Sequence, residues 1–288
     1  MNLNHVTIVH IDGRDGDYKN GQQAILNSMK QLPGSKGLLL TPFKPALLEG
    51  IQYQEIPKLG YHEYSLFVVY ALHQFIDTEF VIIVQEDGWV INGTAWKDEF
   101  TAHDYVGAPI HLARVTNEKN ESNIFQGFGW TQFIGDERYK IENVFNGGFS
   151  LRSKKFLEAP ARFKIPYMIP APVGFSKFPK VFSWEDEGNQ EDVQICLYMK
   201  QQLESIGIKF PNVDVAKYFS FEHLTPSIHD GLDLNDVLGH HASLRSLKNE
   251  KEIHYPISFR EVNRIHGEDR VIDLFSSKGY SFSFASDK

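Results

Sequence analysis

The chain has 288 residues, 42% of them hydrophobic and 23% charged, which suits one large globular domain with a real core and argues against disorder. Its formal net charge of −8 has the wrong sign for a nucleic-acid surface, which needs a basic patch. A single cysteine, Cys196, excludes an internal disulfide, agrees with a reducing compartment, and sits among Val193, Ile195 and Met199 as a buried structural thiol would.

Met1 to Val9 lacks the basic region and apolar stretch of a signal peptide, and no apolar run approaches the roughly 20 residues of a membrane span. A cytoplasmic protein is therefore expected, with peripheral membrane contact left open. Val6 to Ile11 predicts a first strand running into the polar loop Asp12-Gly13-Arg14. Asn20 is expected to cap a helix from Gly21 to about Leu32, with Ala24, Ile25, Met29 and Leu32 on one face. Strands are predicted at Gly37 to Thr41 and Ile51 to Ile56, then a buried helix over Tyr61 to Phe75. Phe80 to Val84 is wholly apolar and mostly β-branched, the signature of a strand covered on both faces. This alternation predicts an α/β fold with a mostly parallel central sheet flanked by helices.

Beyond Gly88 a helical turn is expected at Trp96 to Phe100, and a short strand from Tyr105 that ends at Pro109. Asn117 to Asn123 reads as an exposed loop, Val144 to Leu151 as a strand interrupted by two glycines, and Ser153 as the start of a short helix. Pro160 to Pro179 is too proline-rich for regular structure and predicts a long loop or lid, whose Tyr167, Phe175 and Phe178 could stack on sugars or simply pack it down. Asn189 to Ile206 predicts an amphipathic helix capped by Asn189, with a stripe of Ile195, Met199, Leu203 and Ile206. Lys209-Phe210 and Ala216 to Phe221 are read as closing strands, and the alternation of Ile253, Tyr255, Ile257 and Phe259 as an edge strand. The expected organisation is one domain over 1–242, with a C-terminal extension, 243–288, packed on it.

Four segments could carry chemistry. Gln85-Glu86-Asp87-Gly88 ends a sheet strand, where open α/β sheets place ligands, and its carboxylates suit a hard divalent cation bound beside a phosphate. Glu-Asp-Gly is equally ordinary turn chemistry. Asn146-Gly147-Gly148 lets backbone approach a ligand, with Arg152 free to neutralise a phosphate or brace a carboxylate; a β-bulge is the plain alternative. Glu191 and Asp192 fit a helix start for dipole reasons alone, yet adjacent carboxylates raise each other's pKa, as a general base requires. His240 and His241 could join Asp87 around a metal, or be hydrogen-bonded surface.

Taken in order, QEDGWVING, W-x-x-E-F, HDYVGAP, NGGFSLRS and QED resemble the domain-of-unknown-function 5672 (DUF5672) group of glycosyltransferase-like proteins, itself similar to GT-A nucleotide-sugar transferases. The resemblance runs from about Tyr64 to about Ala242. It implies a single GT-A-like, Rossmann-related domain that moves a sugar from a nucleoside-diphosphate donor to a hydroxyl of a glycan acceptor, with inversion, in surface polysaccharide or lipopolysaccharide synthesis. It further implies Mn²⁺ or Mg²⁺ held by Asp87 and His241, the latter matching better than His240. Asp192, with Glu191, falls on the catalytic-base motif; Asp12, Arg14, Gln85, Glu86, Asn146, Gly147 and Gly148 fall on donor-binding positions. Gln85 stands where the motif has Asp, which keeps open a non-catalytic nucleotide-sugar or glycan binding module of the same fold. A metal-dependent phosphodiesterase is a third reading, weakened by the wide spacing of the acids and histidines.

Overall fold

Alternation along the strands decides which side of the sheet each residue covers. In β1 (Val6–Ile11), Val6 and Ile8 enter one apolar cluster while Val9 and Ile11 enter another on the opposite face. The computed structural model describes residues 2–169, 171–177, 180–183 and 190–286, with the side chains of 180–183 left aside. After β1 come α1 (Lys19–Gln31), β2 (Lys36–Thr41), β3 (Ile51–Glu55), α2 (Tyr61–Tyr70) and β4 (Phe80–Ile83). Then follow β5 (Tyr105–Asn117), β6 (Ser122–Phe125), β7 (Tyr139–Ser153) and α3 (Lys154–Arg162).

Among the described residues these strands make a seven-stranded sheet in the order β3-β2-β1-β4-β7-β5-β6. The first four are mutually parallel, and β7, β5 and β6 extend the sheet with antiparallel pairings. The α/β architecture is the expected one, with helices on both faces: α1 packs Ala24 and Ile25 onto the first face, and α2 packs Phe67 and Val68 onto the second. Chain order reverses between β1 and β4, because β2 and β3 lie to one side of β1 and β4 to the other. Such a reversal opens a crevice beyond the carboxyl ends of the two strands.

Several local expectations need correction. Tyr18, in a left-handed conformation at φ 54°, occupies the cap position of α1, and Asn20 lies inside the helix. β5 does not stop at Pro109: it continues to Asn117, with register shifts on both sides of the proline where its missing N–H is tolerated. The exposed loop foreseen at 117–123 is the tip of the β5–β6 hairpin. Ser153 does cap α3, accepting from the Phe156 N–H.

The proline-rich stretch holds the end of α3 and a hairpin of β8 (Gly174–Lys177) and β9 (Lys180–Ser183). Phe178 and Asn189, and with them the expected stacking ring and helix cap, lie outside the described residues. Among those described, Gln190 is the N-cap of α4 (Glu191–Val193), which continues through a π-helical turn into α5 (Lys200–Ser205). The stripe residues Ile195, Met199 and Leu203 are all buried. Val213–Phe219 is a helix, α6, capped by Asn212, so the strand expected there shrinks to β10 (Ser220–Phe221). Lys209-Phe210 forms no strand; the Lys209 N–H instead donates to Asp104.

Four-residue α7 (Pro226–His229) leads to β11 (Gly239–His240) beside β10, and then to β12 (Ser246–Asn249) and β13 (Glu252–Tyr255). Phe259 begins α8 (Phe259–Val262), fixed by a capping box between Ser258 and Glu261, so the alternating strand ends at Tyr255. α9 (Glu268–Ser277) and β14 (Ser281–Phe284) complete the chain. Leu247, Ile253, Tyr255, Val271 and Phe275 share one apolar cluster with Val6, Ile8 and Leu39 of the main sheet. Among the described residues no helix is long and apolar enough to cross a membrane.

Candidate functional site

The crevice at the β1–β4 reversal is a cavity of about 350 Å³. His10 and Ile11 of β1 and Asp12 just past it line the cavity, the turn after β4 contributes Gln85, Glu86 and Asp87, and α2 adds Tyr61 and Tyr64. At its mouth Arg14 donates from Nε and Nη2 to the two carboxylate oxygens of Asp12, at 3.0 and 2.9 Å, and comes within 3.9 Å of Glu86. Burial works to raise the Asp12 pKa, but the guanidinium and backbone N–H of Arg14 hold it below the usual carboxylate range. Deeper in, His10 Nδ1 lies 3.0 Å from the Val84 carbonyl, and burial pushes the imidazole toward its neutral form.

His241 ties the acidic turn to the glycine pair. Its Nε2 is 3.1 Å from Gln85 Oε1 and 3.4 Å from Asp87 Oδ1; its Nδ1 is 3.0 Å from Asn146 Nδ2. Asn146 Oδ1 accepts from the Phe149 N–H, which fixes the amide orientation and leaves Nδ2 to donate to His241 and, at 2.7 Å, to Glu222. The network therefore assigns the proton of a neutral His241 to Nε2. Gln85 Nε2 in turn donates to the Tyr64 hydroxyl at 3.1 Å.

Gly147 and Gly148 make room for the protein's own side chains. A Cβ on Gly148 would fall 2.4 Å from His241 Nε2 and 2.7 Å from Gln85 Oε1; one on Gly147 would fall 2.2 Å from Glu191 Oε1. Gly148→Ala must push His241 and Gln85 apart. Were Mn²⁺ held between them, its affinity should fall about 10- to 100-fold, read by calorimetric titration; unchanged affinity would show that the spacing of these two groups is irrelevant.

Glu191 and Asp192 lie behind the glycines, outside the cavity lining. The fully buried Arg152 donates to Ser150 Oγ, to the Gly147 carbonyl and, at 3.4 Å, to Glu191 Oε1; it braces a carboxylate, one of the two roles expected of it. Asp192 accepts from the Val193 N–H at 2.8 Å. Burial first, and the charge of Glu191 second, raise its pKa well above the ordinary carboxylate range. The folded state thus keeps a proton that the unfolded chain releases, so stability from this group is full below the unfolded pKa and fades as pH rises through the folded one. Asp192→Asn mimics the neutral acid and should gain stability over the parent as pH goes from about 5 to about 8. Urea unfolding at both pH values measures this; a constant difference would mean that Asp192 does not titrate upward.

Of the two histidines only His241 joins the site. His240 is fully buried, its ring edge-on to Trp89 at 4.2 Å and to Phe275 at 4.9 Å, and burial drives its pKa well down. Cys196 is buried with its thiol pushed up to about 12, as a structural thiol should be. Sequence reasoning missed Tyr64 and Glu222. Tyr64 falls within a helix read only as buried, and Glu222 belongs to no motif, its one signal being its place directly after the short strand Ser220–Phe221.

Among the described residues no group of three or more His, Cys, Asp or Glu side chains gathers as a metal centre. Asp87 and His241 do converge, and the Gln85 amide oxygen adds a neutral third donor. Separations of 3.1 and 3.4 Å approximate neighbouring positions around a six-coordinate ion with bonds of ~2.1 Å, which measure ~3.0 Å. For Nε2 to bind a cation its proton must move to Nδ1, where Asn146 Nδ2 now donates at 3.0 Å and Glu222 Oε2 lies 4.0 Å away. One carboxylate, one imidazole and one amide are donors that would suit a hard divalent cation beside a phosphate.

The sequence profile of the family described as "Protein of unknown function (DUF5672)" matches residues 59–241. No curated protein matches the chain. Among solved structures it is similar to the galactosyltransferase LgtC in complex with donor and acceptor sugar analogues, with a TM-score of 0.43 and 15% identity over 94% of this chain and 95% of that one. It is likewise similar to an active-site mutant of LgtC, with a TM-score of 0.40 and 15% identity over 94% and 95% of the two chains.

Proposed function

We propose that this chain, which belongs to the DUF5672 family of proteins of unknown function, transfers a sugar from a nucleoside-diphosphate donor to a hydroxyl of a glycan acceptor. One observation carries the reading: the cavity lies where the sheet order reverses, the place α/β folds use for nucleotides, with the Gln85, Asp87 and His241 donors converging at its edge. Residues 1–242 would form the transferase domain, with 243–288 packed against it. Surface polysaccharide or lipopolysaccharide synthesis, in the cytoplasm, is the setting proposed for it.

In this reading Asp12, Arg14 and Glu86 face the nucleoside, and Asp87, His241 and Gln85 hold Mn²⁺ or Mg²⁺. The metal, when bound, supplies positive charge against the diphosphate. Asn146 keeps the His241 ring in place while Gly147 and Gly148 leave space beside it. The acceptor oxygen forms a bond to the anomeric carbon as the carbon–oxygen bond to the diphosphate breaks, and the acceptor proton passes to Asp192. Attack from the face opposite the leaving group inverts the anomeric centre. Glu191, paired with Arg152, holds the helix start that carries Asp192.

Gln85 supports a second reading, binding without turnover, because a neutral amide replaces one charge in the donor set. Incubation with a panel of nucleotide sugars and Mn²⁺ separates the two. Donor consumption that depends on an added glycan supports transfer, whereas saturable binding with no consumption favours the binding module.

A further inference from the structure

Beyond the last residue matched by the family, the chain returns to the site. The Ala242 N–H donates to the Asp87 carbonyl at 2.9 Å and the Leu247 N–H to the Glu86 carbonyl at 2.7 Å, so backbone at the start of the extension fastens the acidic turn. Between these two anchors stands Arg245, fully buried. Its Nη1 faces both carboxylate oxygens of Glu268, at 3.2 and 3.3 Å, and its Nη2 donates to the backbone carbonyl of Glu222. Glu268, itself 3% exposed and carried by α9, also accepts from the Tyr255 hydroxyl of β13 at 2.7 Å.

A buried guanidinium costs solvation and is tolerated only when paired and hydrogen-bonded. Here the pair is spent on gripping the main chain at Glu222, whose side chain reaches the other way. Its Oε2 accepts from Asn146 Nδ2 at 2.7 Å and lies 4.0 Å from His241 Nδ1. Histidines that bind metals through one nitrogen are commonly oriented by a carboxylate behind the other, and such partners govern affinity. Glu222 reaches that nitrogen through Asn146, whose Nδ2 donates both to the Glu222 carboxylate and to His241 Nδ1.

We infer that the C-terminal extension completes the site: the Arg245–Glu268 pair acts as a positioning device that sets Glu222 behind His241, and thereby fixes the ring's tautomer and its aim toward Asp87. The inference rests on the metal reading for its purpose, but the positioning itself does not.

The test uses the full chain in two variants. Glu268→Gln leaves Arg245 without a charged partner and can fail to fold. The double variant Arg245→Met with Glu268→Leu replaces the pair by apolar groups of similar size, a change that buried pairs commonly survive, while removing the hold on the Glu222 carbonyl. Glu222→Gln tests the carboxylate directly. Two-bond ¹H–¹⁵N spectra of the metal-free protein read the His241 tautomer, and calorimetry reads Mn²⁺ affinity. The parent is expected to show the proton on Nε2 alone. The folded double variant should show both tautomers in exchange, with Glu222→Gln following it. An unchanged His241 spectrum in the folded double variant overturns the inference. Absence of Mn²⁺ binding by the parent overturns the metal reading only, and the His241 spectrum then decides the positioning role by itself.

Discussion

Arg152→Met is expected to lower the free energy of unfolding by about 3–5 kcal/mol, the range for removing one partner of a buried ion pair. The size of the effect follows from what is left behind. Arg152 has no exposed surface, and Glu191 is only 8% exposed, so the carboxylate would remain in a low-dielectric setting with its counter-charge gone. The Gly147 carbonyl and Ser150 hydroxyl lose a donor in the same step, and Tyr105 loses the guanidinium 5.1 Å from its ring centre. Adding Glu191→Leu removes the stranded charge and should restore most of the loss. Denaturant unfolding of the parent, the single and the double variant measures this. A single-variant loss under about 1 kcal/mol would place the pair among those of surface strength.

Asp192→Asn should abolish donor consumption to within about 10²- to 10⁴-fold of the parent rate, the span that general-base catalysis contributes. The same burial that makes Asp192 a poor acid makes it a useful base, since a raised pKa brings proton affinity closer to that of the hydroxyl it must relieve. Only the ionised form can take the proton. The rate should therefore climb with pH through a limb lying above the ordinary carboxylate range, and the Asn variant should lack that limb. Its Oδ1 can still accept from the Val193 N–H, so the helix start survives and the loss is chemical. Near-normal transfer by the variant would remove Asp192 from the base role.

Much of the parallel half of the sheet was readable because burial on both faces leaves no choice of residue. Val6–Ile11 and residues 81–84 are continuous buried runs, and each leads straight into polar residues that line the cavity. The antiparallel half was less legible. Pro109 breaks a local pattern, yet a register shift absorbs it within the long strand β5. Val213 and Val215 carry β-branched side chains into a helix that Asn212 caps and tertiary packing holds. At the site, Asp87 and His241 were expected together, while Tyr64 and Glu222, which reach His241 through Gln85 and Asn146, were not foreseen. Asn146 was read as backbone freedom beside two glycines, but its amide is the bridge between Glu222 and His241. Glu222 became visible only when the fold brought positions 146, 222 and 241 together, because no spacing in the chain relates them.

Isothermal titration of nucleoside diphosphates, with and without Mn²⁺, into the parent chain and Asp87→Asn tests most directly whether Asp87 grips a cation turned toward a diphosphate. One nucleotide should bind the parent only when Mn²⁺ is present, and Asp87→Asn should weaken that binding by about 100-fold or more. Binding of equal strength without the metal, or untouched by the substitution, would contradict it.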